Sequence, residues 1–259
     1  DAGGEPARMA EMFEYYAGWC DKITGDVIPV PTTHLNYTRH EPLGVVAQIT
    51  PWNAPLFTCC WQVAPAICAG NGVVLKPSEL TPLSSLVIGA LCEKAGCPKG
   101  LVTVIAGAGP SSGQAMIDHP LTALAVFVGS AEAGSRIAAR AALKPMPAVL
   151  ELGGKSANIV FADSDLDRAI VGAQAAIFAG CGQSCVAGSR LLVQRSVHAE
   201  VVAKLAQASA RIPVGLPMDP ATQIGPVNNL AQWTKVDTMV KQAVAQGARI
   251  ATGGAKPAA

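Results

Sequence analysis

The sequence predicts an α/β fold in which a mostly parallel sheet carries helices on both faces. Short runs of β-branched residues alternate with longer segments of helical periodicity along the chain, and this alternation is typical of parallel sheets. Half of the 259 residues are hydrophobic, so the chain is long enough for one large domain or two smaller ones with substantial cores. No internal repeat interrupts the alternation.

The order of the predicted elements follows from residue type and spacing. β-branched residues favour strands, and apolar residues at three- and four-residue spacing favour helices. Prolines at 29, 31 and 42 predict an irregular or hairpin stretch over 24–42, and four prolines within 213–227 predict a long loop. The predicted strands span 44–49, 72–77, 101–105, 124–128, 156–161 and 191–194, and the predicted helices span 6–24, 56–69, 82–95, 111–118, 131–142, 166–179, 197–210 and 232–246.

Composition and charge disfavour several kinds of partner. The net charge is +1 and only 14% of residues are charged, without a basic face or acidic tail, so we expect no nucleic-acid or membrane partner. The apolar runs are too short to span a membrane. Residues 1–5 lack an initiator Met and a signal-peptide pattern, so we expect a cut end there. The eight cysteines lie mostly within apolar segments, which predicts reduced thiols and a cytoplasmic location.

A stretch of small residues, Gly182 to Arg190, places one thiol where it can be exposed at the mouth of a pocket. Cys185 in this setting is either a packed small residue or a nucleophile. Upstream, Glu151 and Asn53 supply a carboxylate and an amide, and the three groups together suit acyl chemistry at a carbonyl carbon. Cys181 and Cys185 form a C-x3-C pair without a matching histidine or second pair, so no metal site is predicted.

Several polar residues follow predicted strands, where parallel sheets bind ligands. Asn53 suits either a ligand contact or a turn whose side chain caps the local backbone. Lys76 and Glu79 suit either a ribose or phosphate contact or a solvated ion pair. The turn from Gly129 to Gly134 either admits a cofactor to a helix N-terminus or only connects strand and helix. Residues 107–113 nearly match G-x-G-x-x-G but hold one residue too many, which makes a weak dinucleotide motif.

These segments together resemble the aldehyde dehydrogenase superfamily. They occur in the family's order and with its spacing, and the resemblance covers the whole chain. The matching segments are Ile49–Pro55, Leu75–Glu79, Phe127–Gly134, Glu151–Lys155 and Gly182–Cys185. The resemblance implies a Rossmann-type parallel-sheet cofactor domain and an α/β catalytic domain, both incomplete, because family members are longer than this chain. It places the cofactor domain at 1–23 and 43–153, a bridging hairpin at 24–42 and the catalytic domain at 154–259.

The resemblance also implies roles for individual residues. Cys185 is expected as the nucleophile, Glu151 as the general base, and Asn53 with the Cys185 N–H as the oxyanion hole. The expected cofactor is NAD, because the carboxylate of Glu79 would repel the 2′-phosphate of NADP. NADP is the alternative. The expected cofactor contacts are Ile49, Trp52, Lys76, Glu79, Gly109, Gly129, Ser130, Gly134, Leu152, Gly153, Gln232 and Lys235. The expected substrate contacts are Ala54, Phe57, Trp61, Phe178 and Val186.

The activity implied by the resemblance is NAD-dependent oxidation of an aldehyde to a carboxylic acid. It would proceed through a cysteine thiohemiacetal and a thioester that glutamate-activated water hydrolyses. Two alternatives stay open: a relative that passes the thioester to coenzyme A, and a truncated chain with a structural or binding role. A cysteine hydrolase is disfavoured because none of the four histidines is linked to the Cys185 segment. At full length we expect a homo-oligomer, either a dimer or a tetramer.

Overall fold

The computed structural model describes residues 3–256. The pattern of internal contacts divides the chain into two units, Asp1–Leu152 and Gly153–Ala259, and each is described by itself. Within the described residues, no helix has both the length and the apolar character that crossing a bilayer requires. Over the same residues, no group of three or more His, Cys, Asp or Glu side chains is placed to bind a metal ion.

The first unit opens with a helix that is shorter than predicted. Helix α1 (Glu5–Ala17) ends seven residues before the predicted end at 24. Gly18 has a low helix propensity, and the next residue, Trp19, already donates its N–H to Tyr16 O at 3.0 Å in a tighter turn. The prediction of a helix over 18–24 is therefore wrong, because the glycine outweighs the apolar spacing.

A short hairpin follows α1 within the predicted stretch 24–42. Strands β1 (Val27–Ile28) and β2 (Asn36–Tyr37) pair antiparallel. Gly25 lies so close to the facing strand that a Cβ there would be 1.8 Å from Thr38 O, so only glycine fits. Thr38 also accepts the Asp26 N–H with its hydroxyl at 2.8 Å. The hairpin itself is thus present, and its role as a bridge remains a prediction.

A five-stranded sheet forms the centre of the first unit, in the order β5-β4-β3-β6-β7. Its strands are β3 (Val45–Ile49), β4 (Gly72–Lys76), β5 (Val102–Val104), β6 (Thr122–Gly129) and β7 (Ala148–Leu152). Every neighbouring pair runs parallel. The chain starts at β3, builds one side of the sheet and then returns to build the other, so the strand order reverses between β3 and β6. The predicted parallel α/β class is confirmed.

Helices cover both faces of this sheet. They are α2 (Pro55–Cys68), α3 (Leu83–Lys94), α4 (Gln114–Asp118), which continues a π-helical turn at Gly109–Gly113, and α5 (Ala131–Ala142). On one face, Leu75 of β4 is buried against Val63 of α2. On the other, Ile49 of β3 and Phe127 of β6 share a core with Ile117 of α4. Burial on both faces explains why these strands are continuous apolar runs.

The second unit combines a two-stranded parallel sheet with helices. Its elements are β8 (Ala157–Val160), α6 (Leu166–Phe178), a 3₁₀ turn (Ala179–Gly182), β9 (Arg190–Val193), α7 (His198–Ser209) and α8 (Leu230–Ala245). Val160, Ile170 and Val201 join the sheet to α6 and α7 in a small core. Helix α8 begins two residues before the predicted start at 232, because the Asn229 side chain caps it by accepting the Gln232 N–H at 2.9 Å.

Candidate active site

Four predicted cofactor residues lie side by side at the carboxyl edge of the first unit's sheet. In the strand register, Ile49 pairs with Lys76 on one side and with Phe127 on the other, and Gly129 pairs with Leu152. Ile49, Lys76, Gly129 and Leu152 are therefore brought together by the parallel alignment of β3, β4, β6 and β7. Open parallel sheets bind ligands at this edge, where the strand order reverses.

Lys76 is buried, contrary to the alternative of a solvated ion pair. Only 2% of its surface is exposed, and its Nζ donates to Pro77 O at 2.7 Å and to Gly107 O at 3.0 Å. The Nζ also lies 3.6 Å from Glu79 Oε2, whose side chain is 59% exposed. A buried ammonium is stable only when its donors have partners. Lys76 therefore joins the ends of two strands and directs one charged contact towards the exposed carboxylate.

A glycine-bearing turn connects β6 to α5. A Cβ on Gly129 would lie 2.5 Å from Phe127 Cζ, and a Cβ on Gly134 would lie 2.5 Å from Leu152 Cδ2. Both glycines are thus required for close packing at this corner. Ser130 caps α5 by accepting the Ala133 N–H at 3.2 Å, and it is exposed at the helix N-terminus. Free N–H groups and the helix dipole favour anions at such a position.

The π-helical turn supplies the other predicted glycine contact. Gly109 is exposed at the start of the turn, whereas Gly113 is buried at its end. A Cβ on Gly113 would lie in ordinary contact with Ile49 Cδ1, at 3.5 Å, and with Lys76 Cε, at 3.6 Å. The turn therefore rests directly on the two side chains that end β3 and β4. Gly109, at the start of the turn, has no atom of the described residues within 4 Å of a Cβ placed on it.

The segment that carries Asn53 is held by carbonyl contacts on both sides. The hydroxyl of Thr81 donates to Trp52 O at 3.3 Å, and the hydroxyl of Thr58 donates to Ala54 O at 2.7 Å. Asn53 itself is exposed between these two fixed neighbours. The backbone on both sides of Asn53 is thus held by Thr81, in the loop before α3, and by Thr58 of α2.

Helix α2 presents an aromatic pair on its exposed side. Phe57 and Trp61 lie one turn apart, and their rings are stacked with centroids 6.0 Å apart. They are 41% and 38% exposed, while Thr58 and Gln62 on the opposite side are buried. The helix therefore offers an apolar surface close in sequence to Asn53. Large exposed aromatic side chains at one place often mark a ligand surface.

Glu151 lies on β7, a strand that the sequence analysis did not predict. Leu150 and Leu152 pack into the core beneath α5, so the alternation of the strand leaves Val149 and Glu151 exposed on the other face. Backbone pairing with Val128 fixes the position of Glu151 along the sheet. Its carboxylate is thus solvent-accessible but mounted on a rigid element.

In the second unit, Cys185 follows a tight left-handed turn by three residues. Gly180, Cys181 and Gly182 have φ values of 59°, 59° and 73°, a region that glycine adopts readily and cysteine rarely. Cys185 is exposed, and a Cβ on Gly154 would lie 3.2 Å from its carbonyl oxygen. The glycine at 154 therefore lets the chain pass close to the backbone of the candidate nucleophile.

Two hydrogen bonds hold this turn to the proline-rich loop before α8. The Gly225 N–H donates to Cys181 Sγ at 3.2 Å, and the Asn228 N–H donates to Gln183 Oε1 at 2.9 Å. Sequence reasoning did not find these positioning residues, because the partners are more than 40 positions apart and no motif links them. The loop therefore fixes the segment that precedes Cys185.

The remaining predicted contacts lie on other parts of the second unit. Val186 is 75% exposed and lines a groove of about 630 Å³ along β8 and α6. Phe178 is the half-buried last residue of α6. Gln232 and Lys235 lie three residues apart on α8, so they share one side of that helix. Gly153 is exposed at the start of the unit.

Comparisons with known proteins agree with the fold and the motifs. The sequence profile of the aldehyde dehydrogenase family matches residues 1–259. Retinal dehydrogenase 2 of Homo sapiens is 46% identical over 97% of this chain and 51% of its own length. The putative aldehyde dehydrogenase DhaS of Bacillus subtilis is 42% identical over 98% and 51%. The NAD+ complex of an aldehyde dehydrogenase from Bacillus cereus superposes with a TM-score of 0.94, at 41% identity over 97% of this chain and 51% of that one.

The doubly wound parallel sheet and the comparisons together define the class of this protein. The chain belongs to the aldehyde dehydrogenase family. It spans about half the length of the curated relatives it matches. The family resemblance and the parallel α/β fold predicted from the sequence are confirmed.

Proposed function

We propose that the protein containing this chain oxidises an aldehyde to a carboxylic acid with NAD, through a covalent thioester on Cys185. The observation that carries the proposal is the placement of Cys185. It is one of only two exposed cysteines among the eight, all of which lie in the described part of the chain. A thiol that reacts with a substrate must be accessible, whereas most cysteines of soluble proteins are buried.

The residues at the sheet edge fit the proposed cofactor. Glu79 holds an exposed carboxylate beside the Lys76 ammonium, and a carboxylate can accept hydrogen bonds from ribose hydroxyls. The glycine-bearing corner at Gly129 and the capped N-terminus of α5 would admit a pyrophosphate without a side chain in the way. The same carboxylate would repel a 2′-phosphate, which supports NAD over NADP. When bound, NAD would supply the acceptor for the hydride that leaves the aldehyde carbon as the thioester forms.

In the proposed reaction, Cys185 forms a bond to the aldehyde carbon. The exposed Cys185 thiol first loses its proton to solvent water, and the resulting thiolate is the nucleophile. Negative charge then develops on the aldehyde oxygen, where the Asn53 amide and the Cys185 N–H would donate hydrogen bonds. One such donor typically stabilises the transition state by about 3 kcal/mol. The fixed neighbours of Asn53 support this role, because an oxyanion donor must be preorganised.

Glu151 is the proposed base for hydrolysis of the thioester. Its carboxylate takes a proton from water, the water oxygen bonds to the thioester carbon, and the Cys185 sulfur leaves as the acid is released. The exposed position of Glu151 on a rigid strand supports access of water to it. This carboxylate also argues against transfer of the acyl group to coenzyme A, which needs no such base.

The aromatic pair of α2 supports an apolar aldehyde as the substrate class. Phe57 and Trp61 present stacked rings without a charged side chain between them. Ala54 lies at the start of this helix and leaves room beside the pair. We therefore propose aliphatic or aromatic aldehydes of low polarity, in preference to acidic ones.

The experiment is to mix the protein with NAD and a panel of apolar, polar and acidic aldehydes, and to follow NADH formation. Wild type should form NADH, and apolar aldehydes should give the highest kcat/KM. Cys185→Ala should form none while still binding NAD in a titration, whereas Cys20→Ser, which changes the other exposed cysteine, should match wild type. NADH formation by Cys185→Ala would refute the proposed nucleophile.

The proposal extends to the oligomeric state and the cellular location of the whole protein. We propose a homo-oligomer, dimer or tetramer, of the whole protein in the cytoplasm. The hairpin supports assembly, because Val27 and its strand partner Tyr37 are 75% and 59% exposed, and Leu35 beside them in sequence is 77% exposed. Light scattering after size-exclusion chromatography would give the mass, and a monomer at micromolar concentration would contradict this proposal.

A further inference from the structure

One exposed thiol lies outside the proposed active site. Of the two exposed cysteines, Cys185 belongs to the proposed reaction, whereas Cys20 lies in the turn that follows α1. The Cys20 thiol donates a hydrogen bond to Tyr16 O at 3.6 Å, so the side chain is turned back towards its own helix. No step of the proposed oxidation uses it.

A second thiol contacts Cys20 from the neighbouring helix. Cys68 is the last residue of α2, and α1 packs along α2 with Phe13 resting on Cys59 and Val63. The two helix ends therefore meet, and the Cys68 thiol interacts with the Cys20 thiol. Both cysteines are free, and Cys68 is half-buried.

We propose that Cys20 and Cys68 form a reversible disulfide when the protein meets hydrogen peroxide or an organic hydroperoxide. The pair satisfies the two requirements of such a site, which are one accessible sulfur and a second sulfur already in contact with it. The modification is separate from the proposed aldehyde oxidation and does not depend on it.

The order of the reaction follows from the two environments. Burial, together with the neighbouring Cys20 thiol, raises the pKa of the Cys68 thiol, so Cys68 stays protonated while the exposed Cys20 meets the oxidant. The Cys20 thiolate bonds to one peroxide oxygen, the O–O bond breaks, and a sulfenic acid and hydroxide form. The Cys68 sulfur then attacks the Cys20 sulfur, the S–O bond breaks, and its proton leaves with the departing hydroxide as water. In total, two thiols and one hydrogen peroxide give one disulfide and two waters.

Another pair of thiols in the first unit provides an internal comparison. The thiols of Cys92 and Cys97 also interact with each other, and the Cys97 N–H donates to Cys92 O at 3.0 Å. Cys92 is only 9% exposed, and burial raises the pKa of its thiol to about 11. Neither member of this pair is exposed. The two thiols interact in both pairs, but only the pair of Cys20 and Cys68 has an exposed member.

The disulfide would close a loop from the end of α1 to the end of α2. That loop contains the hairpin, β3 and the segment carrying Asn53. Because a cross-link restricts the unfolded chain more than the folded one, oxidation should raise the melting temperature of the first unit by about 10 °C. Reduction should return the melting temperature to its starting value.

The test starts from Cys185→Ser, which removes the other exposed thiol. This variant is treated with hydrogen peroxide, free thiols are blocked, and the unreduced protein is digested for peptide mass spectrometry. We expect a Cys20–Cys68 cross-linked peptide that dithiothreitol removes, together with the rise in melting temperature. Adding Cys20→Ser or Cys68→Ala should abolish both effects, whereas adding Cys97→Ser should leave both unchanged.

Two results would overturn the proposal. One is oxidation of Cys20 to sulfinic acid while the Cys68 thiol stays free, because a sulfur in contact should capture the sulfenic acid first. The other is a cross-link that joins Cys20 to a cysteine other than Cys68. Circular dichroism of each variant before oxidation shows that it is folded, so the loss of the cross-link reports on the thiols themselves.

Discussion

The backbone N–H of Gly225 donates a hydrogen bond to the sulfur of Cys181 at 3.2 Å. Cys181 has φ = 59°, where a side chain with a Cβ is strained, and it lies four positions before Cys185. A strained residue persists only where its surroundings stabilise it, and here the stabilising contact comes from the loop that leads into α8. The pair therefore couples the backbone before the proposed nucleophile to that loop.

This contact can be tested with two variants that both tolerate the left-handed backbone better than cysteine does. Cys181→Asn keeps an acceptor for the Gly225 N–H, whereas Cys181→Gly removes it. We expect Cys181→Asn to retain kcat, and Cys181→Gly to lose about tenfold in kcat with little change in KM, because misplacing a nucleophile slows chemistry more than binding. Equal kcat values for the two variants would show that the hydrogen bond does not position Cys185.

Replacing Glu151 should separate the two halves of the proposed reaction. Glu151→Gln keeps the size of the side chain and removes its ability to take a proton. Stopped-flow measurement should show a burst of about one NADH per site, followed by a steady rate at least about 100-fold below wild type, because hydrolysis of the thioester stalls. Normal steady turnover in this variant would remove Glu151 from the mechanism.

Glu79 should set the preference for NAD over NADP. Its carboxylate lies 3.6 Å from Lys76 Nζ and is largely exposed. Glu79→Gln removes the charge that would repel a 2′-phosphate, so the ratio of kcat/KM for NAD to that for NADP should fall about tenfold. Glu93→Gln, an exposed charge on α3, provides the matched control and should leave the ratio unchanged. An unchanged ratio in Glu79→Gln would place cofactor selection elsewhere.

Gly129→Ala should destabilise the first unit. The added Cβ would lie 2.5 Å from Cζ of the buried Phe127 ring, so the ring or the strand end has to shift. Overpacking of this kind typically costs about 1–3 kcal/mol of unfolding free energy. Gly72→Ala in the same sheet is the control, because no atom lies within 4 Å of its added Cβ. Urea denaturation of both variants compares them, and equal midpoints would contradict the predicted clash.

Asp118 should contribute stability that disappears in acid. Its carboxylate accepts from Gln114 Nε2 and from Arg140 Nε, both at 2.9 Å, and these contacts hold its pKa below the usual 3.8. A lowered carboxyl pKa contributes stability above the unfolded value, and that stability is lost as pH falls through the folded value. Asp118→Asn should therefore lower the melting temperature near neutral pH, and the difference from wild type should vanish once the pH has fallen through the lowered pKa of the folded state. The exposed Asp163→Asn is the control, and the same effect there would make the change non-specific.

The sheet was predictable because its central strands are buried on both faces and read as short apolar runs between glycines and prolines. Strand β7 was not predicted, because it is an edge strand with Val149 and Glu151 exposed. The burial of Lys76 could not be seen either, since one of its carbonyl partners, on Gly107, lies 31 positions away. The motifs identified the site residues, whereas the contacts that hold them in place are non-local and have no signature in the sequence.

The donor count of Lys76 has a chemical consequence. An ammonium has three N–H groups, and two of them are occupied by the carbonyls of Pro77 and Gly107. The Glu79 carboxylate, which can only accept, lies 3.6 Å from the same nitrogen. A hydroxyl placed between the two can accept from nitrogen and donate to oxygen at once, whereas a phosphate oxygen at neutral pH can only accept. We therefore expect the pair to prefer a ligand hydroxyl over a phosphate oxygen.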